Sequence, residues 1–140
     1  MHKLDLSFLF LGGACLVVGV SLGIYMGIAH DFTLAPVHAH INLVGWVSLA
    51  LFGVIYRAFP ELAVSRLARV HFWLAMVSAP VFPFGIWLAM THQIKALAIA
   101  ASLLWLAGAL VFLANVARLV FSAAPMASAL DRDEFRLGSI

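Results

Sequence analysis

The sequence predicts an all-α protein: a four-helix transmembrane bundle running up-down-up-down, with both termini cytoplasmic. Three observations predict it. First, 65% of the 140 residues are hydrophobic and only 10% are charged, too little polar surface for a soluble domain of this length. Second, the apolar residues gather into four stretches, roughly 6–29, 36–59, 70–90 and 94–121, and each meets or exceeds the ~20 residues that carry a helix across about 30 Å of hydrocarbon. No period-two alternation marks them as barrel strands. Third, the basic residues sit between the stretches on one side. Lys3 precedes the first, Arg57, Arg66 and Arg69 flank the second loop, and Arg118, Arg132 and Arg136 end the fourth. The opposite side carries only Asp31 and Lys95. The positive-inside rule then places both termini in the cytoplasm. A multi-pass protein of a bacterial-type inner (cytoplasmic) membrane is expected, in contact with lipid. The net charge of +2 records topology rather than a nucleic-acid partner.

Taken in order, the first span holds Gly19, Gly23 and Gly27, four residues apart on one helical face. Small residues at this spacing let two backbones approach closely, within the bundle or between subunits. Cys15 is the only cysteine, so no intrachain disulfide or CxxC chemistry is available; it reads as a small packing residue. The first apolar run is too long for a cleaved signal peptide, and in Leu11-Gly12-Gly13-Ala14-Cys15 the leucine stands one place too far from the cysteine for a lipoprotein box. Short loops make sequential spans antiparallel neighbours. In the third span, Pro80 and Pro83 remove hydrogen-bond donors and bend a helix, which could widen the bundle around a cofactor. Residues 1–122 form the membrane domain. Residues 123–140, with Asp131, Asp133 and Glu134, read as a cytoplasmic tail, in part an interfacial helix.

Chemistry concentrates at the start of the second span, where residues 38–53 read HAHINLVGWVSLALFG. An ionisable side chain inside a bilayer is costly and marks a candidate site, and a neutral imidazole is a standard ligand for haem iron and transition metals. By the predicted topology His30, His38, His40 and His92 all lie on the outer side. His71 opens the third span on the other side, and along one helix at 1.5 Å per residue it stands ~30 Å from His92, so it cannot share their site. Residues two apart on an α-helix differ by about 200°. His38 and His40 therefore cannot grip one ion, but can serve two sites on opposite flanks. His38 shares its flank with Asn42, Gly45, Leu49 and Tyr56; His40 shares an apolar wall with Val44, Val47 and Leu51. An imidazole on such a wall suits a large apolar cofactor such as haem, or a hydrogen bond to a neighbouring helix; unpaired, it would be costly there. His30 and His92 read as interfacial residues, either of which could supply a second axial ligand.

Residues 38–90 resemble two consecutive helices of the catalytic subunit of haem-copper oxidases. The elements are His38-Ala39-His40, then Phe59-Pro60, then a helix opening with His71-Phe72-Trp73. The same stretch resembles a helix of the related nitric oxide reductases through His40, Asn42, Trp46, Phe52 and Gly53. The resemblance implies that His38 binds a high-spin haem iron and His40 a low-spin haem iron on the opposite flank, and that His71 is not an iron ligand. The family's catalytic subunit has three arcs of four helices, whereas this chain supplies one. Copper-binding histidines and a cross-linked tyrosine have no counterpart here, since Tyr25 and Tyr56 lie outside that motif.

The leading expectation is a haem b-binding membrane protein for electron transfer or for binding oxygen or nitric oxide. One or two haems would be held per subunit or shared in a homo-oligomer, a trimer or a dimer. His40 would be the principal ligand, His38 would serve a second haem or a partner subunit, and Asn42 and Trp46 would pack the porphyrin or its propionates. Without CxxCH the haem would be held noncovalently. A haem or copper trafficking protein using His30, His38, His40 and His92 is the second reading. The chain lacks the soft-ligand motifs that favour Cu(I), so haem is preferred to copper. A non-catalytic assembly subunit of a larger complex is the third. No complete oxidase active site is present in one chain.

Overall fold

The structure, a computed structural model, describes residues 3–137, with side chains described as far as Phe121. It is all-α. Helix α1 (Lys3–Ala29) is followed by α2 (Ala35–His40), a π-helix (Ile41–Ser48) and α3 (Leu49–Ala58), which run on as one second span. A short α4 (Pro60–Ala63) leads into α5 (Arg66–His92) and α6 (Ala96–Leu137). Four segments are long and apolar enough to cross a membrane: Lys3–Ala29, Ala35–Ala58, Arg66–His92 and Ala96–Phe121. This is a multi-pass membrane protein. The expected spans are all present, each beginning or ending a few residues from where hydropathy alone places it. The backbone of α6 runs without a break to Leu137, over most of the segment read as a tail. His2 and the side chains of Asp131, Arg132, Asp133, Glu134 and Arg136 lie outside the described residues.

The bundle is built from two antiparallel pairs. The second span packs along α1, α5 packs along α6, and the pairs touch each other less extensively. Glycines set both seams, as expected where van der Waals packing rather than the hydrophobic effect drives association in lipid. A Cβ on Gly12 would lie 3.4 Å from the Ala50 nitrogen and the Trp46 carbonyl oxygen. A Cβ on Gly85 would lie 2.7 Å from the Ala98 nitrogen and 2.8 Å from its Cα. That approach of α5 to α6 is open only to glycine.

Turn chemistry closes each pair. At the end of α1, His30 takes a left-handed backbone (φ 51°), and Asp31 receives hydrogen bonds from the Thr33 amide (2.9 Å) and hydroxyl (2.6 Å), which hold its carboxyl below the usual carboxylate range. At the end of α5, Gln93 takes the same left-handed conformation (φ 60°) and caps the Leu88 carbonyl. Ser65 starts α5: its Oγ accepts from the Ala68 amide (2.9 Å) and donates to Asn115 Oδ1 (2.9 Å). Asn115 in turn donates to the Leu62 carbonyl (3.0 Å), fixing the α4 connection to α6.

The deepest packing lies toward the end of the bundle that carries the termini. There Phe8 of α1, Tyr56 of α3, His71 of α5 and Phe112 of α6 meet, with Phe52 and Phe72. All four spans contribute to this aromatic cage.

Candidate functional site

The two histidines of the second span sit in the last turn of α2, next to the π-helix. A π-helix carries i→i+5 bonds; such wide turns are rare and recur at functional sites. Here Ser48 Oγ adds a bond to the Leu43 carbonyl, five residues back, at 2.8 Å.

The imidazoles face opposite neighbours. His38 turns toward α1, where its Nδ1 lies 2.9 Å from the Gly19 carbonyl oxygen. A Cβ on Gly23 would come within 2.8 Å of its Cε1. His40 turns toward α5, where its ring meets Phe82 edge-on, centroids 4.9 Å apart. The 200° separation read from the sequence is what the backbone delivers.

Both rings are anchored alike. His40 Nδ1 lies 2.7 Å from the Pro36 carbonyl oxygen on its own helix. A carbonyl only accepts, so Nδ1 is the donor in both bonds, and in the neutral ring Nε2 keeps its lone pair. An imidazole bonded to a carbonyl through one nitrogen, with the other deprotonated, is the arrangement that metal-ligating histidines adopt. For His40, Nε2 has no hydrogen-bond partner among the described residues.

Asn42 lies one turn after His38. Its amide donates to the His38 carbonyl (2.9 Å), and its Nδ2 stands 3.4 Å and 3.5 Å from the two ring nitrogens. It also fills the space left by Gly19, where a Cβ would be 2.6 Å from its Nδ2. Gly19 and Gly23 therefore serve the seam inside the bundle, while Gly27 has nothing within 4 Å of a Cβ position. Cys15 packs on Gly45, whose Cβ position lies 2.7 Å from the Cys15 Sγ, the small packing role expected of it. Trp46 contributes its backbone carbonyl to the same seam, and no ring contact joins it to either histidine among the described residues. His30 and His92 are exposed, and His92 stands edge-on to Trp87, centroids 5.6 Å apart. The structure does not gather the outer histidines: among the described residues no three His, Cys, Asp or Glu side chains converge.

Beside this cluster lies an apolar cavity of about 380 Å³ between α1, the second span and α5. Val37 and Ile41 line it from the histidine turn, with Cys15, Pro80, Pro83 and Trp87. α5 runs unbroken through both Pro80 and Pro83, which border this cavity. Its volume falls in the range of ligand pockets, but neither His38 nor His40 lines it.

No family model, curated protein or solved structure matches this chain. Its function must be read from its own residues.

Sequence reasoning missed the Tyr56–His71 pair. Tyr56 Oη lies 2.9 Å from His71 Nδ1. His71 is 1% exposed and its Nε2 is buried without a partner. A signal was available: residues 56 and 71 lie nearly symmetrically about the α4 connection, so an antiparallel hairpin sets them at one depth. Phe8 stacks on His71 and Phe52 meets it edge-on, with centroids 5.5 Å and 4.4 Å away. So closed a cage leaves no access for a porphyrin.

Proposed function

We propose that this chain is a haem b-binding integral membrane protein, with His40 as the principal axial ligand. One observation carries the reading: the Pro36 carbonyl holds the His40 Nδ1 proton, leaving an unpartnered Nε2 lone pair on the flank facing Phe82. That is the tautomer iron requires. The fit covers the axial ligand. The porphyrin faces would lie against the apolar wall of the second span and α5. Haem, when bound, supplies a one-electron couple or a binding position for a diatomic gas.

His38 has the same Nδ1 anchor, on Gly19, but lies in the seam with α1. In this reading it serves a second iron on that flank, or one shared with a partner subunit of a homo-oligomer, dimer or trimer. Asn42 steadies the His38 backbone and ring. The termini face the cytoplasm of a bacterial-type inner membrane, following the basic residues at that end. The chain then resembles one four-helix arc of the oxidase family in a form that oligomerises.

A second reading, an assembly subunit without a cofactor, is supported by the same carbonyl bonds, since they also satisfy a histidine that only packs. The absorption spectrum of protein purified from haem-replete cells separates the two. A Soret band is expected, abolished in His40→Ala and shifted or reduced in stoichiometry in His38→Ala. A colourless protein overturns the haem reading, as does a Soret band indifferent to His40.

A further inference from the structure

We infer that the groove between α1 and α5, at the end of the bundle carrying the termini, is a binding site for a single phospholipid with an anionic headgroup. The inference is independent of the haem reading.

Two adjoining hollows make the site. The first, about 400 Å³, is bordered by Lys3 of α1 and Arg69 of α5, together with Val64 of the connection before α5. The second, about 540 Å³, also begins at Lys3 and continues between the helices along Phe10, Trp73 and Met76. Lys3 belongs to both, so a cationic mouth opens directly into an apolar channel.

Depth matches the chemistry. At 1.5 Å per residue, Phe10 stands about 10 Å beyond Lys3, and Met76 about 10 Å beyond Arg69. The cations therefore lie at headgroup level and the channel runs into the acyl region. Trp73 lies between, 66% exposed, at the interfacial depth that tryptophan favours.

Charge selects the occupant. Among the described residues neither Lys3 nor Arg69 forms an ion pair; Asp5, the nearby acid on α1, faces Arg57 at 3.5 Å. Two cations at one mouth, with no counter-ion among the described residues, call for an anion. The channel below them is empty of polar side chains except Ser7, whose hydroxyl is bonded to the Lys3 carbonyl. A free anion would leave that channel unfilled, and a zwitterionic lipid would leave the cations without net compensation. Basic pockets between transmembrane helices recognise anionic headgroups on these grounds.

The test uses the full chain in vesicles of phosphatidylcholine and phosphatidylglycerol in equal amounts. Native mass spectrometry of the released protein should show one retained phosphatidylglycerol, preferred over phosphatidylcholine by on the order of tenfold for two interfacial cations. The preference should vanish in Lys3→Gln/Arg69→Gln and persist in Arg57→Gln. A second measurement needs no change at the mouth. Brominated phosphatidylglycerol should quench tryptophan fluorescence more than brominated phosphatidylcholine, and Trp73→Phe should remove the excess. Inorganic phosphate should not relieve it. Equal retention of both lipids, quenching excess that survives Trp73→Phe, or full relief by inorganic phosphate would each overturn the proposal.

Discussion

Tyr56 and His71 share a 2.9 Å hydrogen bond at a level where all four spans meet. Around them Phe8, Phe52, Phe72 and Phe112 exclude both water and lipid. Asn115 also reaches the Tyr56 hydroxyl. His71 Nδ1 has Tyr56 as its hydrogen-bond partner among the described residues, so the imidazole depends on the tyrosine and the two should be coupled. Tyr56→Phe and His71→Phe are each expected to lower the thermal midpoint in detergent. The double variant should lose less than the sum, with a coupling of about 1 kcal/mol. Strict additivity in circular-dichroism melts would show that the bond contributes nothing to stability.

Glycine substitutions should separate by what the new methyl meets. Gly85→Ala drives Cβ into the Ala98 backbone, which cannot rotate away, and should be the most damaging. Gly19→Ala meets the movable Asn42 side chain and should cost about 1–3 kcal/mol through overpacking. Gly27→Ala meets nothing and should be neutral, or gain up to about 1 kcal/mol from helix propensity. Melting of the three purified variants ranks them. A destabilised Gly27→Ala would instead mark that glycine as part of a contact between subunits.

Ser65 performs two tasks with one oxygen, capping α5 and donating to Asn115. Ser65→Ala should cost about 1–2 kcal/mol and loosen the α4 connection, read as faster proteolysis between Ala58 and Arg66. Ser65→Thr keeps the hydroxyl and should restore resistance. If Ser65→Ala is cut no faster, the α4 connection is held by other contacts.

Hydropathy and helical geometry made much of this legible. The four spans follow from apolar run length alone, and the opposed directions of His38 and His40 follow from their spacing. The flank assigned to His38 holds as well: Gly45, Leu49 and Tyr56 on that face are buried. The π-helix was not legible, because i→i+5 bonding leaves no mark on the residue pattern at 41–48. Nor was the distribution of glycine partners, since Gly19, Gly23 and Gly27 are equivalent by spacing and differ only in what stands opposite. Tyr56 and His71 stay unpaired in the sequence because Tyr56 lies outside the family's tyrosine motif, while His71 fits the His-Phe-Trp element at a position that is not an iron ligand. Setting one helix of the hairpin against the other would have paired them.

The two glycine seams and the aromatic cage operate at different ranges along the chain. Gly85 meets Ala98 across one short turn, and Gly19 meets Asn42 within one helix-loop-helix unit. Phe8 meets His71 across the two hairpins, from α1 to α5. Each half can zip shut by itself through main-chain intimacy, whereas the halves are clasped by rings. The clasp is the contact that needs residues from both hairpins at once.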